Sequence, residues 1–229
     1  MEEDYCMTDN SEKLPAPMNA LKALSTGMIA DALLISGING GVMGVRPARG
    51  FEDAKIVGPA VTVLFSPPRI GEKTFTNYEV IRNADPGSVL VIDGKGFDGH
   101  FTGDNQAACA KKQGLEAIVV YGGARDLGGF RQAEIPLYCT GSATRDKPAE
   151  CKITAYNVSV EIGGVPVRPQ DIIVADEDGV VVIPGDFLEG LMENMKIINT
   201  VEKEMEHAIQ GNAPVEKLKE IISKKKPKK

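Results

Sequence analysis

Three side chains in the middle of the chain have the types and spacing needed to bind an anion and a divalent cation. Asp104 follows Gly103, and the pair Arg125-Asp126 comes after twenty intervening residues. Arginine presents a planar, permanently charged fork that fits a carboxylate or an enolate oxygen. Aspartate supplies the hard oxygen that magnesium prefers. If these residues meet, they form a pocket for an anionic substrate and a metal ion.

The elements around these residues predict that they do meet. The apolar runs at Val89–Ile92 and Ala117–Tyr121 read as strands, and a helical pattern runs from about Gly103 to Gln113 between them. A crossover of this kind returns the second strand parallel to the first, so the helix start and the end of the second strand emerge at one sheet edge. The backbone amides of Gly103, Asp104, Asn105 and Gln106 would then form an anion site.

Simpler interpretations of the same region remain open. Asp104 could act only as a helix cap, and Arg125 could pair with Asp126 at the surface. The glycine-rich loop before the helix adds Lys95, which could form a Schiff base in an apolar pocket but is more consistent with a solvated position. His100 in the same loop could tune the pocket or act as an acid or base, although a lone loop histidine usually does neither. The glycines from 37 to 44 do not predict a dinucleotide loop, because a helix precedes them and a strand follows.

The spacing from Asp104 to Arg125-Asp126 resembles the signature of the class II pyruvate aldolases that cleave 4-hydroxy-4-methyl-2-oxoglutarate. That family shares its fold with the RraA-type regulators of ribonuclease E. The likeness covers about residues 20 to 210. Other stretches that resemble the family in the same order are Ala30–Leu33, Val57–Val63, Pro86–Gly94, Gly163–Pro169 and Asp178–Pro184.

The resemblance implies a layered β/β/α fold of the α/β class. The expected architecture is a single-domain, swivelling-domain-like, RraA-like fold with a βαβ active-site unit and a C-terminal helix. Residues 1–17 would be a flexible leader, 18–211 the aldolase-like domain, and 212–229 a C-terminal helix with a basic tail. A homotrimer or hexamer is implied as well.

The resemblance also implies a metal-dependent lyase that converts a 4-hydroxy-2-oxo acid to pyruvate. The substrate carboxylate would lie on the amides of residues 103 to 106, Asp126 would hold Mg²⁺ or Mn²⁺, and Arg125 would stabilise the enolate. Asp104 would move the proton of the 4-hydroxyl group. The same chemistry would permit oxaloacetate decarboxylation.

A glutamate from the C-terminal helix of an adjacent subunit would complete this site. Candidates for that residue are Glu202, Glu204 and Glu206, although a solvated helix face explains the three equally well.

The rival hypothesis is a non-catalytic RraA-like regulator that binds a ribonuclease or another protein. Fold alone does not separate the two. Asp126 favours the lyase, because a binding module needs no metal carboxylate beside Arg125. A methyltransferase assignment finds no support, since no glycine-rich cofactor loop follows a first strand.

Composition excludes several classes of protein. The chain has 229 residues, 42% of them hydrophobic, and a formal net charge of -6, which argues against general nucleic-acid binding. The four cysteines lack CxxC spacing and read as reduced thiols rather than zinc ligands. The sequence has neither a secretory h-region nor an apolar run near the eighteen or so residues of a membrane span. A cytoplasmic protein with no membrane partner is expected.

The remaining elements are predicted from periodicity and turn residues. Residues 20–34 read as a helix that breaks near Ser25 and Thr26, and 77–83 as a short helix. Gly58-Pro59 predicts a bulge or an edge position in the strand at 55–65. Residues 156–162 form one predicted strand of a hairpin with 165–167, and further strands are expected at 135–139, 172–175 and 180–183. Asp186 is the expected N-cap of a helix that runs to about Gln210 and ends at Gly211.

Overall fold

The computed structural model describes residues 16–225, with side chains described from residue 18 onward. The helices are α1 (Ala16–Leu21), α2 (Thr26–Ile35), α3 (Asn77–Arg82), α4 (Asp104–Gln113), α5 (Leu127–Ala133), α6 (Leu188–Gln210) and α7 (Val215–Ser223). The strands are β1 (Arg46–Pro47), β2 (Ile56–Ser66), β3 (Val89–Asp93), β4 (Ala117–Tyr121), β5 (Gly123–Ala124), β6 (Leu137–Cys139), β7 (Gly141–Ser142), β8 (Lys152–Tyr156), β9 (Val160–Ile162), β10 (Val165–Val167), β11 (Ile172–Asp176) and β12 (Gly179–Ile183).

The main sheet has the order β1-β6-β4-β3-β2-β11-β12, and β8 also pairs with β2. Strands β2, β3, β4 and β6 run parallel to their neighbours in that series, whereas β11 is antiparallel to both β2 and β12. The predicted strand–helix–strand unit is therefore present as β3, α4 and β4. Its strands lie at the centre of the sheet, where parallel strands are buried on both faces.

Strand β2 changes partners along its length. Its first residues, Ile56–Pro59, pair with β11, and from Ala60 onward it pairs with β3. Gly58-Pro59 thus lies before the β3 ladder begins, where the missing N–H of proline breaks no bond with β3. The bulge expected at this pair lies elsewhere, between Leu64 and Phe65 opposite β8. The edge interpretation of Gly58-Pro59 fits the structure, and the bulge interpretation is wrong.

Alternate side chains of β3 and β4 pack into two separate hydrophobic cores. Leu90 and Ile92 pack into a cluster with residues of α3, α4 and α5, among them the fully buried Phe130. Val89 and Val91 point to the opposite face and pack with the β9–β10 hairpin. Since the side-chain period of a strand is two, one apolar run supplies both faces.

A third cluster packs α1, α2 and α6 against β11 and β12. Ser25 accepts a hydrogen bond from the Met28 N–H and caps α2, so the predicted break near Ser25 is confirmed. The carboxylate of Asp176, at the end of β11, accepts hydrogen bonds from the N–H and the hydroxyl of Thr26 at 2.8 and 2.6 Å. This contact fixes the first turn of α2 to the sheet.

The hairpin region differs from the prediction of one strand at 156–162. Tyr156 ends β8, which pairs with β2, and a new strand begins only at Val160. Asn157 between them has a φ of 51°, a left-handed conformation that breaks an extended strand and that asparagine tolerates. The hairpin itself is confirmed: β9 and β10 are joined by Gly163 and Gly164, both at positive φ.

The start of the long C-terminal helix also differs from prediction. A 3₁₀ turn covers Gly185–Phe187, and α6 begins at Leu188 with no side-chain cap, so Asp186 is not the N-cap. The 3₁₀ turn continues directly into the helix and replaces a capping residue. The end at Gly211 is as predicted. No helix in the described range is long and apolar enough to cross a membrane.

Helix α7 folds back onto α6 and α2 through ion pairs. Lys225 Nζ lies 2.7 Å from Asp31 Oδ2 and also pairs with Glu202, while Lys224 pairs with Glu204. Asp31 and the first lysines of the basic tail are therefore ion-paired rather than simply solvated. The rest of the tail, 226–229, and the predicted leader up to residue 15 lie outside the described residues.

Candidate functional site

The tip of α4 meets the chain that follows β4, as the strand–helix–strand unit predicts. The N–H of Arg125 donates to the carbonyl oxygen of Thr102 at 3.2 Å. Asp126 Oδ2 would lie only 2.9 Å from a Cβ added at Gly103. The carboxylate of Asp126 thus lies against the Gly103 turn. Gly103 has φ -156°, which any residue adopts, so the need for glycine here is one of space.

Asp126 has a left-handed backbone conformation. Its φ is 56° and its ψ is 41°, and its side chain makes no cap hydrogen bond to α5. Aspartate adopts this conformation more readily than most residues do. The conformation turns the chain sharply between β5 and α5 and leaves the carboxylate beside the tip of α4.

Arg125 and Asp126 form an ion pair at the surface of the chain. Arg125 Nε donates to Asp126 Oδ2 at 3.0 Å, and the two side chains are 52% and 42% exposed. The surface pairing left open by the sequence is therefore present. It engages one edge of the guanidinium only, because the two Nη groups have no hydrogen-bond partner within residues 16–225. Arg125 can still present these two donors to a carboxylate or an enolate oxygen.

The amides of the α4 tip are only partly free. The Gly103 N–H donates to Gln106 Oε1 at 2.9 Å, and the Asn105 N–H donates to Asp104 Oδ1 at 2.7 Å. The Asp104 and Gln106 amides have no partner in the described part of the chain. The anion site predicted from four amides is thus reduced to two in this structure, with the other two held by side chains.

Glycine 129 positions Asp104 and was missed by the sequence analysis. A Cβ added at Gly129 would lie 2.2 Å from Asp104 Cβ, so α5 approaches the tip of α4 closely only because this residue is glycine. At the neighbouring Gly128 the nearest atom would be 3.8 Å away. The adjacent glycines at the start of a helix were the available signal, but the sequence does not reveal which of them is in contact.

The glycine-rich loop contributes an ion pair rather than a Schiff-base lysine. Lys95 Nζ pairs with the buried carboxylate of Asp93, and the lysine side chain is 61% exposed. Its backbone N–H also donates to Asp93 Oδ1 at 3.0 Å. An exposed, ion-paired ammonium lacks the apolar pocket that a Schiff-base lysine needs. Lys95 is neither simply solvated, as the sequence suggested, nor placed for covalent catalysis.

A divalent cation fits this site as an ion with one protein carboxylate. Across residues 16–225 no group of three His, Cys, Asp or Glu side chains could hold a metal. Magnesium and manganese nevertheless take one or two carboxylates and complete their coordination with water and substrate oxygens. Asp126 supplies such a carboxylate, and its side chain is 42% exposed, so water and substrate oxygens can reach it.

The three candidate glutamates lie on α6, which packs at the other end of the sheet. Glu202 and Glu204 pair with Lys225 and Lys224, and Glu206 accepts a hydrogen bond from Gln210 at 3.2 Å. Helix α6 belongs to the cluster on β11 and β12, whereas α4 and α5 belong to the cluster on β3 and β4. A glutamate of α6 could reach the Arg125 site only from another copy of the chain.

Four surface cavities of the described chain lie away from Arg125. Two of them, of about 320 and 510 Å³, lie between α6 and α7, and two others lie beside residues 52–56. Asp104, Arg125 and Asp126 line none of these four. Arg125 and Asp126 instead lie about half exposed at the surface of the chain.

Known proteins resemble this chain in sequence and in structure. A family model described as RraA-like, Aldolase/RraA, matches residues 26–182. A Halalkalibacterium halodurans protein named "Putative 4-hydroxy-4-methyl-2-oxoglutarate aldolase" is 32% identical over 192 residues, which are 83% of this chain and 87% of that protein. Protein DlpA of Legionella pneumophila is 30% identical over 219 residues, 95% of this chain. This chain spans only 35% of the length of DlpA.

Solved structures also resemble this chain. The crystal structure of Streptomyces coelicolor RraAS2, described as an unusual member of the RNase ES inhibitor RraA protein family, matches with a TM-score of 0.72 and 30% identity. The match covers 84% of this chain and 96% of RraAS2, and both chains have a mixed α/β fold. These matches agree with the resemblance in the sequence motifs. The chain belongs to the RraA-like, Aldolase/RraA family.

Proposed function

We propose that this protein is a divalent-metal-dependent lyase that cleaves a 4-hydroxy-2-oxo acid, of the 4-hydroxy-4-methyl-2-oxoglutarate type, to pyruvate. The observation that carries the proposal is the convergence of the Arg125 guanidinium, the Asp126 carboxylate and the tip of α4 at one sheet edge. The relatives named for this aldolase support the same reaction class. Oxaloacetate decarboxylation is the expected second activity.

The protein binds the substrate mainly through hydrogen-bond donors. The amides of Asp104 and Gln106, at the positive end of α4, receive the carboxylate of the 2-oxo acid. The Nη groups of Arg125, which have no hydrogen-bond partner within the described residues, donate to the oxygen on which negative charge develops. Fixed donors of this kind typically lower a barrier by several kcal/mol, because they need no reorganisation as the charge forms.

Asp126 is the residue that would hold a divalent cation. When bound, the cation supplies Lewis-acid stabilisation of the same developing charge. Asp104 accepts the proton of the 4-hydroxyl group, directly or through water, since Oδ2 of its carboxylate has no hydrogen-bond partner within the described residues. Loss of that proton drives cleavage of the carbon–carbon bond and leaves the pyruvate enolate, which is then protonated.

The two activities share one electronic step. Retro-aldol cleavage breaks the bond between C3 and C4 and releases a carbonyl compound. Decarboxylation of oxaloacetate breaks the bond between C3 and its C4 carboxylate and releases CO₂. Both reactions place the bonding electrons into the pyruvate enolate. Arg125 therefore has the same role in each, and only the leaving fragment differs.

The rival function is binding without catalysis, as the description of RraAS2 suggests for that protein. The pairing of Arg125 with Asp126 is compatible with a purely structural role. The Arg125 Nη groups and the amides of Asp104 and Gln106, which have no partner within the described residues, favour the lyase, because a structural ion pair needs no free donors beside it. A ribonuclease-binding regulator would release no pyruvate.

We further infer a swivelling-domain-like β/β/α arrangement for residues 18–211, with 212–229 as an appended helix and basic tail. The active form would be a homotrimer or hexamer in the cytoplasm, without nucleic-acid or membrane partners. The exposure of the Arg125 and Asp126 side chains and the packing of α6 in a different core cluster support a site shared between subunits.

The decisive experiment is a lactate-dehydrogenase-coupled assay of pyruvate release. Oxaloacetate and a series of 4-hydroxy-2-oxo acids are supplied with Mg²⁺ or Mn²⁺, or with EDTA. Wild-type protein should release pyruvate with the metal and lose activity in EDTA.

Asp126→Asn should lower kcat/KM by about 10²–10³-fold, the usual size of an electrostatic contribution at such a site. Asp186→Asn, an exposed carboxylate beside α6, is the matched control and should leave kcat/KM unchanged. Equal activity of both variants would remove Asp126 from the mechanism. Absence of pyruvate from every substrate would favour the regulator.

A further inference from the structure

The side chain of His100 bridges two loops, and the proposed reaction gives it no part. The ring is 13% exposed, and His100 lies only three residues before Gly103. Its Nδ1 lies 2.7 Å from the carbonyl oxygen of Arg145, and its Nε2 lies 3.5 Å from Asp146 Oδ1. A carbonyl oxygen only accepts hydrogen bonds, so Nδ1 carries a proton and donates it to Arg145.

The backbone of His100 joins the same two loops. Its N–H donates to the Arg145 carbonyl oxygen at 2.8 Å, and His100 forms isolated parallel bridges with both Gly123 and Asp146. The next residue, Phe101, donates its N–H to the Gly123 oxygen at 3.0 Å. The segment at His100 therefore lies between the chain that leads to Arg125 and the loop at 145–146.

The loop at 141–147 is attached at both ends to the site region. At its start, Gly141 and Ser142 pair with Gly123 and Ala124, and the Ala143 N–H donates to the Ala124 oxygen at 2.9 Å. At its end, the ring of His100 holds Arg145 and Asp146. The loop thus encloses the two residues that immediately precede Arg125.

We propose that His100 is a positioning residue for the Arg125 site. Its ring fastens the end of the 141–147 loop and thereby fixes the backbone that carries Gly103 on one side and Arg125 on the other. The Nδ1–H group supplies the main contact. Nε2 lies 3.5 Å from Asp146 Oδ1 and can donate to it only when the ring is an imidazolium, so the fastening does not depend on Asp146. The expected effect on kcat/KM rests on the proposed lyase function. The attachment of the 141–147 loop by His100 does not.

The contacts of Asp146 agree with this arrangement. Partial burial raises the pKa of Asp146, but the charges of Lys147 and His100 outweigh this and hold it below its ordinary value. Lys147 Nζ lies 3.4 Å from Asp146 Oδ1, and Arg145 lies over the ring of Phe97 at 5.4 Å. The loop end therefore carries a cluster of charges beside the His100 ring.

Three substitutions at residue 100 separate positioning from direct proton transfer. His100→Ala removes both ring contacts and should lower kcat/KM about 10–100-fold, because an ångström of misplacement at a reacting centre has effects of that size. His100→Asn retains a donor at the place of Nδ1 and should recover activity to within about threefold of wild type, since the main contact is kept. His100→Gln extends toward Asp146, loses the Arg145 contact and should recover less. His207→Gln, at the other histidine of the chain, is the control.

The kinetic results for the three variants distinguish a positioning role of His100 from proton transfer by its ring. Rescue by asparagine but not by glutamine supports positioning. Equal loss in all three variants, confined to kcat, would show that the imidazole itself moves a proton and would overturn the inference. Wild-type kinetics in all three variants would also overturn it.

Hydrogen exchange tests the fastening without any substrate. Amide exchange in residues 141–147 should accelerate at least tenfold in His100→Ala and remain near the wild-type rate in His100→Asn and His207→Gln, since exchange reports local opening. Unchanged protection in His100→Ala would overturn the inference even if the protein proves to be an active lyase. Faster exchange in a protein that releases no pyruvate would leave the fastening in place and remove only the proposed function.

Discussion

At the scale of single residues, the site depends on two glycines whose missing side chains leave room for neighbouring carboxylates. Gly103 and Gly129 have no side chains where Asp126 and Asp104 need room. Neither glycine is required by its backbone conformation, because neither has a positive φ. Their importance comes from contacts across the fold, and two adjacent glycines of α5 allow a direct test.

Gly129→Ala should reduce lyase activity by displacing Asp104. The added methyl group would overlap Asp104 Cβ at 2.2 Å, so the tip of α4 and the start of α5 must separate. We expect a fall in kcat/KM of about 10–100-fold and a loss of about 1–3 kcal/mol in the free energy of unfolding. Pyruvate release and urea unfolding measure the two effects.

Gly128→Ala is the matched control for this substitution. It adds the same methyl group to the same helix, but its nearest neighbour is the end of the Arg131 side chain at 3.8 Å. Alanine favours helix over glycine, so this variant should keep wild-type activity and stability or gain slightly in stability. If both variants behave alike, contact between α5 and Asp104 does not position the carboxylate.

At the scale of elements, α2 is tied to the sheet by a small polar network centred on Asp176. Thr26 donates twice to this carboxylate, and Lys55 Nζ donates to Oδ2 at 3.1 Å and also to the Leu24 oxygen. Partial burial raises the pKa of Asp176, but the hydrogen bonds from Thr26 and Lys55 outweigh it and hold the pKa below its ordinary value. The charged carboxylate therefore stabilises the folded state.

Asp176→Asn should lower the free energy of unfolding by about 1–3 kcal/mol at neutral pH, the usual range for hydrogen bonds to a charged group. A depressed folded pKa gives stability that is fully present above the unfolded pKa, about 3.9, and is lost as pH falls through the folded value. The difference between wild type and variant should therefore be constant above about pH 5 and shrink below about pH 4.

Urea unfolding across this pH range measures the effect of Asp176→Asn. Asp178→Asn, at an exposed position in the same turn, should change the free energy of unfolding by less than about 0.5 kcal/mol. A difference that persists unchanged to the lowest pH would contradict a role for the ionised carboxylate of Asp176.

At the scale of the whole molecule, one chain leaves the proposed site open on one side. The glutamates of α6 lie at the opposite end of the sheet, and exposed apolar side chains such as Met43 and Leu34, 70% and 44% exposed, remain available for contact with other chains. The resemblance to the aldolase family implies a trimer or hexamer, so we expect sedimentation to give three or six copies of the 24.5 kDa chain. A monomer that retains full activity would contradict a shared site.

Subunit mixing tests the shared site directly. Asp126→Asn chains and chains with glutamine at 202, 204 and 206 should each be inactive alone. Mixed oligomers should regain part of the activity, because some sites would then combine an intact Asp126 with an intact glutamate from a neighbour. Activity of the glutamine chains alone would exclude these glutamates from the site, and mixtures that stay inactive would place the whole site on one chain.

The sequence alone determined the central unit of the fold and the edge at which Asp104, Arg125 and Asp126 meet. Apolar runs, turn residues and the handedness of crossovers are local or general constraints, so β3, α4 and β4 follow from them. The family also followed from motif order, and the model match over residues 26–182 agrees with it.

Only the tertiary structure decided which groups around that edge remain free. Gln106 and Asp104 occupy two of the four amides of the helix tip, and Asp93 pairs with Lys95. At the other end of the sheet, Lys224 and Lys225 pair with Glu204 and Glu202 of α6. The role of Gly129 likewise depends on how closely α5 approaches α4. Such contacts join residues whose relative positions depend on the packing of whole elements, and the spacing of residues along the chain does not contain that information.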